Sequence, residues 1–119
     1  MSKTLTFAAA LLGFLAVAAG AFGAHALDGQ LTEKAADWWQ TGTFYLLTHA
    51  VAAFAVGVSG QKGLFVTGGW CLALGCTVFG ASLYALALGA PSILGAITPI
   101  GGILMLAGWA LAAIGAIRR

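Results

Sequence analysis

The chain has 119 residues, 61% of them hydrophobic and only 7% charged, where a soluble domain carries roughly 25% charged residues. From Gly63 to Ile117 there is no Asp, Glu, Lys or Arg, so lipid and not water is the solvent for most of the sequence. A net charge of +2 without Lys/Arg clusters gives no basis for binding nucleic acid, and the apolar content excludes disorder.

Four apolar segments can be drawn, at about residues 5–27, 40–59, 63–89 and 97–117. Each is long enough to cross a hydrocarbon core of ~30 Å at ~1.5 Å per helical residue. The expected fold is an all-α membrane protein, a compact bundle of four transmembrane helices forming one domain over residues 1–119. Lys3, the apolar run and Ala24-His25-Ala26 imitate a cleavable secretory signal. The run is long enough to span, however, and is read as the first membrane helix.

The first segment closes on Gly20-Ala-Phe-Gly-Ala-His-Ala-Leu27. Gly13, Ala16, Gly20 and Gly23 make a stripe of small residues on one helical face, the pattern that lets helix backbones approach in lipid. His25 is displaced from that stripe by about 140° and is a candidate site at the outer interface.

Residues 32–40 read as a short amphipathic segment lying along that interface, with Thr32 as N-cap and Glu33 favourably placed in the first turn. Glu33 and Asp37, four residues apart, read as a solvated face. Trp38 and Trp39 are expected at headgroup level, as an aromatic belt.

His49 then lies about nine residues past Gln40, roughly 13 Å deep at ~1.5 Å per residue. An imidazole at that depth needs partners on neighbouring helices or a wet cavity. Tyr45, Ser82, Tyr84 and Thr98 are the candidate members of an intramembrane polar network around it.

Cys71 and Cys76 are about 140° apart on one helix and cannot pair with each other. In the fourth segment Thr98-Pro99 reads as N-cap and first helical residue. Thr98, Gly101, Met105, Gly108, Ala112 and Gly115 then form a second small-residue stripe, able to pack within one bundle or between copies.

Lys3, Lys62, Arg118 and Arg119 share one side of a four-span topology, and Lys34 stands alone on the other beside Asp28, Glu33 and Asp37. The positive-inside rule then places both termini in the cytoplasm. No carboxylate lies within a span and no phosphate cradle follows a strand, so the expectation is a protein that is not an enzyme. His25 and His49 stand at mismatched depths for a shared haem, and no closed metal site can be assembled, so no cofactor or metal is expected.

Four stretches carry a resemblance in order and with compatible spacing: Gly20–Leu27, Thr41-Gly42 with Tyr45 and His49-Ala50, Phe79–Leu86, and Ile97–Gly102 leading to Gly108-Trp109. Together they resemble the small bacterial membrane proteins of domain-of-unknown-function family 423, with the vertebrate transmembrane protein 256 family as a distant relative. The resemblance implies a multi-pass inner-membrane protein of uncharacterised function and lends no catalytic residue. Asp28-Gly29 is more acidic than the family pattern at that point.

The functional expectation is a structural or accessory membrane component embedded in the bilayer, packed against itself as a homo-oligomer or within a larger membrane complex. The alternatives are a small proton-linked transporter and a protein that binds an apolar ligand, quinone or lipid, near Tyr45 and His49.

Overall fold

The structure, a computed structural model, describes residues 1–118, so Arg119, one of the four basic residues assigned to the terminal side, lies outside the described residues. Four helices, all long and apolar enough to span a membrane, follow one another: α1 (Lys3–His25), α2 (Glu33–Val58), α3 (Leu64–Ala87) and α4 (Thr98–Arg118). A short 3-10 helix, Ser92–Ala96, precedes α4.

Local chemistry sets the boundaries. The Ser2 hydroxyl accepts from the Leu5 amide and the Thr32 hydroxyl accepts from the Ala35 amide, each satisfying one of the amides a helix leaves unpaired at its start. At the end of α1 the chain reverses through a turn in which Gln30 N–H donates to the Leu27 carbonyl at 2.9 Å. Gly29, at φ +75°, takes the left-handed conformation that such a turn demands and that other residues adopt at a cost.

Two boundaries differ from expectation. Residues 32–40 are not a separate interfacial segment: once Thr32 caps it, α2 runs unbroken from Glu33 to Val58. Thr98 does not cap α4. The Ile97 carbonyl takes the first amides, from Ile100 at 3.0 Å and Gly101 at 3.4 Å, and the Thr98 hydroxyl turns to α3 instead.

The helices pack as neighbours in sequence order. α2 and α3 form the centre, α1 lies on the outer side of α2, and α4 lies against α3; α1 and α4 form no packed seam among the described residues. The core is built from small residues and short aliphatic fillers. Leu5 of α1 reaches over Ala53 and Val56 to Leu72 and Ala73 of α3, and Ala16, Leu46, Cys76 and Met105 make a second cluster further along. Cys71 and Cys76 are both free thiols.

The closest approach is between α3 and α4. A methyl group placed on Gly75 would sit 2.8 Å from the Gly101 carbonyl oxygen, and one on Gly101 would sit 2.7 Å from that of Gly75. Gly68 and Gly108 form a second reciprocal pair at 2.7 and 2.8 Å, and Gly115 closes on the Phe65 backbone at 2.7 Å. The contacts recur every seven residues, the repeat that keeps one seam facing its partner along two helices. The stripe foreseen on α4 therefore packs within the chain, and its counterpart is the Gly68/Gly75 pair of α3.

The α1 stripe is only partly used. Ala16 is fully buried and Gly23 lies directly beneath the Trp39 indole, but Gly20 makes only ordinary contact with the Thr43 methyl, and Gly13 has no neighbour within 4 Å. Gly13, expected at a helix contact, faces open space because α1 has α2 on one side only.

Met1 and Ser2 share a pocket with Lys62, and Lys62 shares another with Arg118, so both ends of the described chain and the α2–α3 turn lie at one end of the bundle. The three carboxylates lie at the opposite end, on the α1–α2 connection and in the first turns of α2. Gly75→Leu is expected to destabilise the protein by about 1–3 kcal/mol or more, since backbone cannot yield as a side chain can. Gly13→Leu is expected to change stability by less than about 0.5 kcal/mol. Unfolding in mixed micelles checks the pair, and equal losses would remove the seam from the account.

Candidate functional site

His49 lies on the face of α2 that looks toward α4 and is 8% exposed. Its two ring nitrogens are both engaged. Nε2 is 3.0 Å from Trp109 Nε1 on α4, and Nδ1 is 2.9 Å from the Tyr45 carbonyl one turn earlier on α2. An indole nitrogen can only donate, so Nε2 accepts; the Tyr45 carbonyl can only accept, so Nδ1 carries the hydrogen. The two contacts together define a neutral imidazole in its Nδ1–H form.

Aromatic rings complete the setting. Tyr45 stacks on His49 with centroids 5.8 Å apart, Trp109 meets the imidazole edge-on at 5.9 Å, and Phe79 of α3 lies 4.8 Å from Tyr45. Beside them a groove of about 500 Å³ opens between α2 and α4, walled by Tyr45, Pro99, Ile103 and Leu106 with Phe79 at its base. A second apolar groove, about 430 Å³, lies on the other side of Trp109 between Ala52, Ala55, Phe65 and Ala112. The His49–Trp109 hydrogen bond is thus a strut across a cleft open to lipid, with an apolar chamber at each side.

The other hydroxyls expected around His49 are paired elsewhere. Thr43 Oγ1 donates to the Trp39 carbonyl at 2.9 Å, which leaves it to accept from the Tyr84 hydroxyl at 2.7 Å. The Ser82 and Thr98 hydroxyls are 2.6 Å apart and join α3 to the start of α4. Helix register separates these pairs from the imidazole. Gly42 lies against Leu83 and Tyr84, and Gly80 against Leu46, so His49 comes level with α3 residues about a turn before Gly80. The single network expected of His49, Tyr45, Ser82, Tyr84 and Thr98 is therefore three separate contacts, and Tyr45 contributes its carbonyl and ring face to the first.

Two tryptophans play parts that the sequence reading did not assign. Trp109 stood only within a motif, although an indole half-way along a span is a donor in need of an acceptor. Trp39, expected at headgroup level, packs inside the bundle: it is 8% exposed, donates to the Ala19 carbonyl of α1 at 2.9 Å and lies 4.3 Å from the Tyr84 ring. Trp38 keeps the outer position, with the Lys34 ammonium 5.2 Å from its ring centre. His25 is exposed in the last turn of α1, on a different helix from His49 and outside the grooves that flank it.

Four apolar spans tied by buried polar pairs define a small polytopic helical membrane protein. Its family is set by comparison with known proteins. The family model described as "Protein of unknown function (DUF423)" matches residues 19–102, and the chain belongs to that family. It is 41% identical over 118 residues to a UPF0382 membrane protein of Staphylococcus epidermidis, covering 98% of this chain and 97% of that one. It is 38% identical to the UPF0382 membrane protein YwdK of Bacillus subtilis, over 98% of both chains. With the UPF0382 inner membrane protein YgdD of Escherichia coli it shares 41% identity, over 98% of this chain and 92% of the relative. No solved structure matches the chain.

Trp109→Phe keeps the ring and removes the donor, leaving Nε2 without a partner. The expected loss is about 1–2 kcal/mol, and it is expected to vanish when His49 is already Phe, as a double-mutant cycle would read. Nitrogen NMR of the labelled imidazole is expected to show one protonated and one bare nitrogen. Two equivalent protonated nitrogens would overturn the assignment.

Proposed function

We infer that the protein is a structural or accessory membrane component, acting through packed apolar surface and not as an enzyme. One observation carries this reading: the buried polar side chains inside the spans are paired with one another or with backbone. His49 is held by Trp109 and a carbonyl, Tyr84 by Thr43 and Ser82 by Thr98, and no buried side-chain nitrogen or oxygen among the described residues lacks a partner. A substrate or a migrating proton needs groups free to exchange partners. Large side chains such as Phe7, Phe14, Ile103 and Leu106 cover the outer faces, where lipid, a second copy or a larger complex can pack at little cost.

A small proton-linked transporter would have to break the His49–Trp109 bond in each cycle, since a proton on Nε2 faces an indole donor. Binding of an apolar ligand, quinone or lipid, is the second reading, favoured by the two chambers that flank that bond. The location proposed is the inner membrane, multi-pass, with both termini cytoplasmic. The gathering of Lys3, Lys62 and Arg118 toward one end, against Lys34 at the other, supports that orientation under the positive-inside rule.

Crosslinking in native membranes, followed by identification of the captured chains, is expected to yield a reproducible partner or a second copy. A strictly monomeric, partner-free protein would overturn the accessory reading. If vesicles show proton-coupled flux that His49→Ala abolishes, the transporter replaces it. Reporter fusions at either terminus are expected to score cytoplasmic.

A further inference from the structure

One cavity belongs neither to the His49–Trp109 cleft nor to the seam between α3 and α4. It opens at the acidic end, where α1 stops and α2 begins, and has a volume of about 430 Å³. Its existence follows from the sequence of α1. Gly20, Gly23 and Ala24 line it from α1 without large side chains, and the Trp39 indole, which rests against Gly23 and backs the cavity, is pinned to the Ala19 carbonyl. Leu27 and Phe44 supply apolar wall, while Asp28 and Gln40 stand where the cavity meets water.

The charge at this end is mostly negative. All three carboxylates of the chain, Asp28, Glu33 and Asp37, lie on the connection between α1 and α2 or the first turns of α2, against Lys34 alone. Lys34 is turned to the Trp38 ring. Of the three carboxylates, Asp28 alone lines the cavity, held there by the Leu27–Gln30 turn with Gly29 at its corner. A cavity of a size that suits a small molecule, with Leu27, Leu31 and Phe44 in its wall, thus has one carboxylate-bearing residue in its lining.

We propose that this cavity binds a small cationic amphiphile, a membrane-soluble molecule with one positive centre on a compact apolar body. The apolar walls take the body and the Asp28 carboxylate takes the charge, an ion pair formed where water is scarcer than in bulk and the field correspondingly stronger. Anionic amphiphiles of equal size are refused by the same carboxylate and by Glu33 and Asp37 behind it. The site is independent of the accessory role inferred above, since it shares no residue with the His49 groove and needs no partner protein.

The test uses the full chain in nanodiscs of phosphatidylcholine, with empty nanodiscs subtracted. Two probes of nearly equal shape and opposite charge, tetraphenylphosphonium and tetraphenylborate, are titrated by equilibrium dialysis. Saturable binding of the phosphonium with a stoichiometry near one, at least tenfold tighter than the borate, is expected. Asp28→Asn is expected to weaken it about tenfold or more. Glu33→Gln removes the same charge from the same end but outside the cavity, and is expected to stay within about twofold of the parent. Ala24→Leu, which fills the cavity from α1 without touching charge, is expected to abolish binding. Asp28 and Glu33 are exposed and Ala24 faces the opening, so helical content and elution volume are expected to match the parent in all three. Non-saturable uptake, equal binding of both probes, or equal effects of Asp28→Asn and Glu33→Gln would each overturn the proposal, the last by reducing it to a diffuse surface field.

Discussion

The contact on which the rest of the molecule depends is the glycine seam between α3 and α4. In water, burial of apolar area would hold two such helices together. In lipid that term is nearly absent, because the surroundings are as apolar as the side chains. What remains is close contact between many atoms, and only glycine brings two backbones to within a carbonyl's radius of each other. Gly68 with Gly108 and Gly75 with Gly101 achieve this at two successive levels, with Gly115 on Phe65 as a third. The Ser82–Thr98 hydrogen bond then locks the register at the far end of the seam.

Because α4 is committed to α3, it cannot also close on α1 or α2, and the bundle is an ordered row and not a closed ring. This leaves the cleft between α2 and α4 that His49 and Trp109 span. The strut suits lipid. A buried imidazole and a buried indole would each be costly alone, and each supplies what the other lacks. The aromatic wall of the cleft and its apolar chambers are consequences of the same packing choice.

The other flank is organised by Trp39. The absence of a side chain at Gly23 lets the N–H edge of the indole come close to α1, where it reaches the Ala19 carbonyl, so one residue joins α1 to α2 and, through Tyr84, to α3. The space beside that contact, lined by Gly20, Ala24 and Thr43, becomes the cavity that Asp28 also lines. A motif of small residues thus serves two ends, a tight contact at Gly23 and an unfilled volume beside it.

Much of this was legible in the residues. The four spans followed from length and apolarity, the cap at Thr32 from its hydroxyl, the α4 stripe from its periodicity, and the need of His49 for partners from the cost of an unsatisfied imidazole. Those properties are local, set by one segment and its solvent. The partners were not legible. Depth arguments grouped Ser82, Tyr84 and Thr98 with His49, but a register difference of about two turns, roughly 8–12 Å at ~1.5 Å per residue, exceeds the reach of a hydrogen bond. Gly13 and Gly20 look alike in sequence, yet Gly20 meets α2 and Gly13 meets nothing. Sequence by itself determined which segments cross the membrane and which side chains require answers there. Only the tertiary structure decided which helix supplies each answer, because that depends on the rotation and stagger of one helix against another, quantities that no single segment contains.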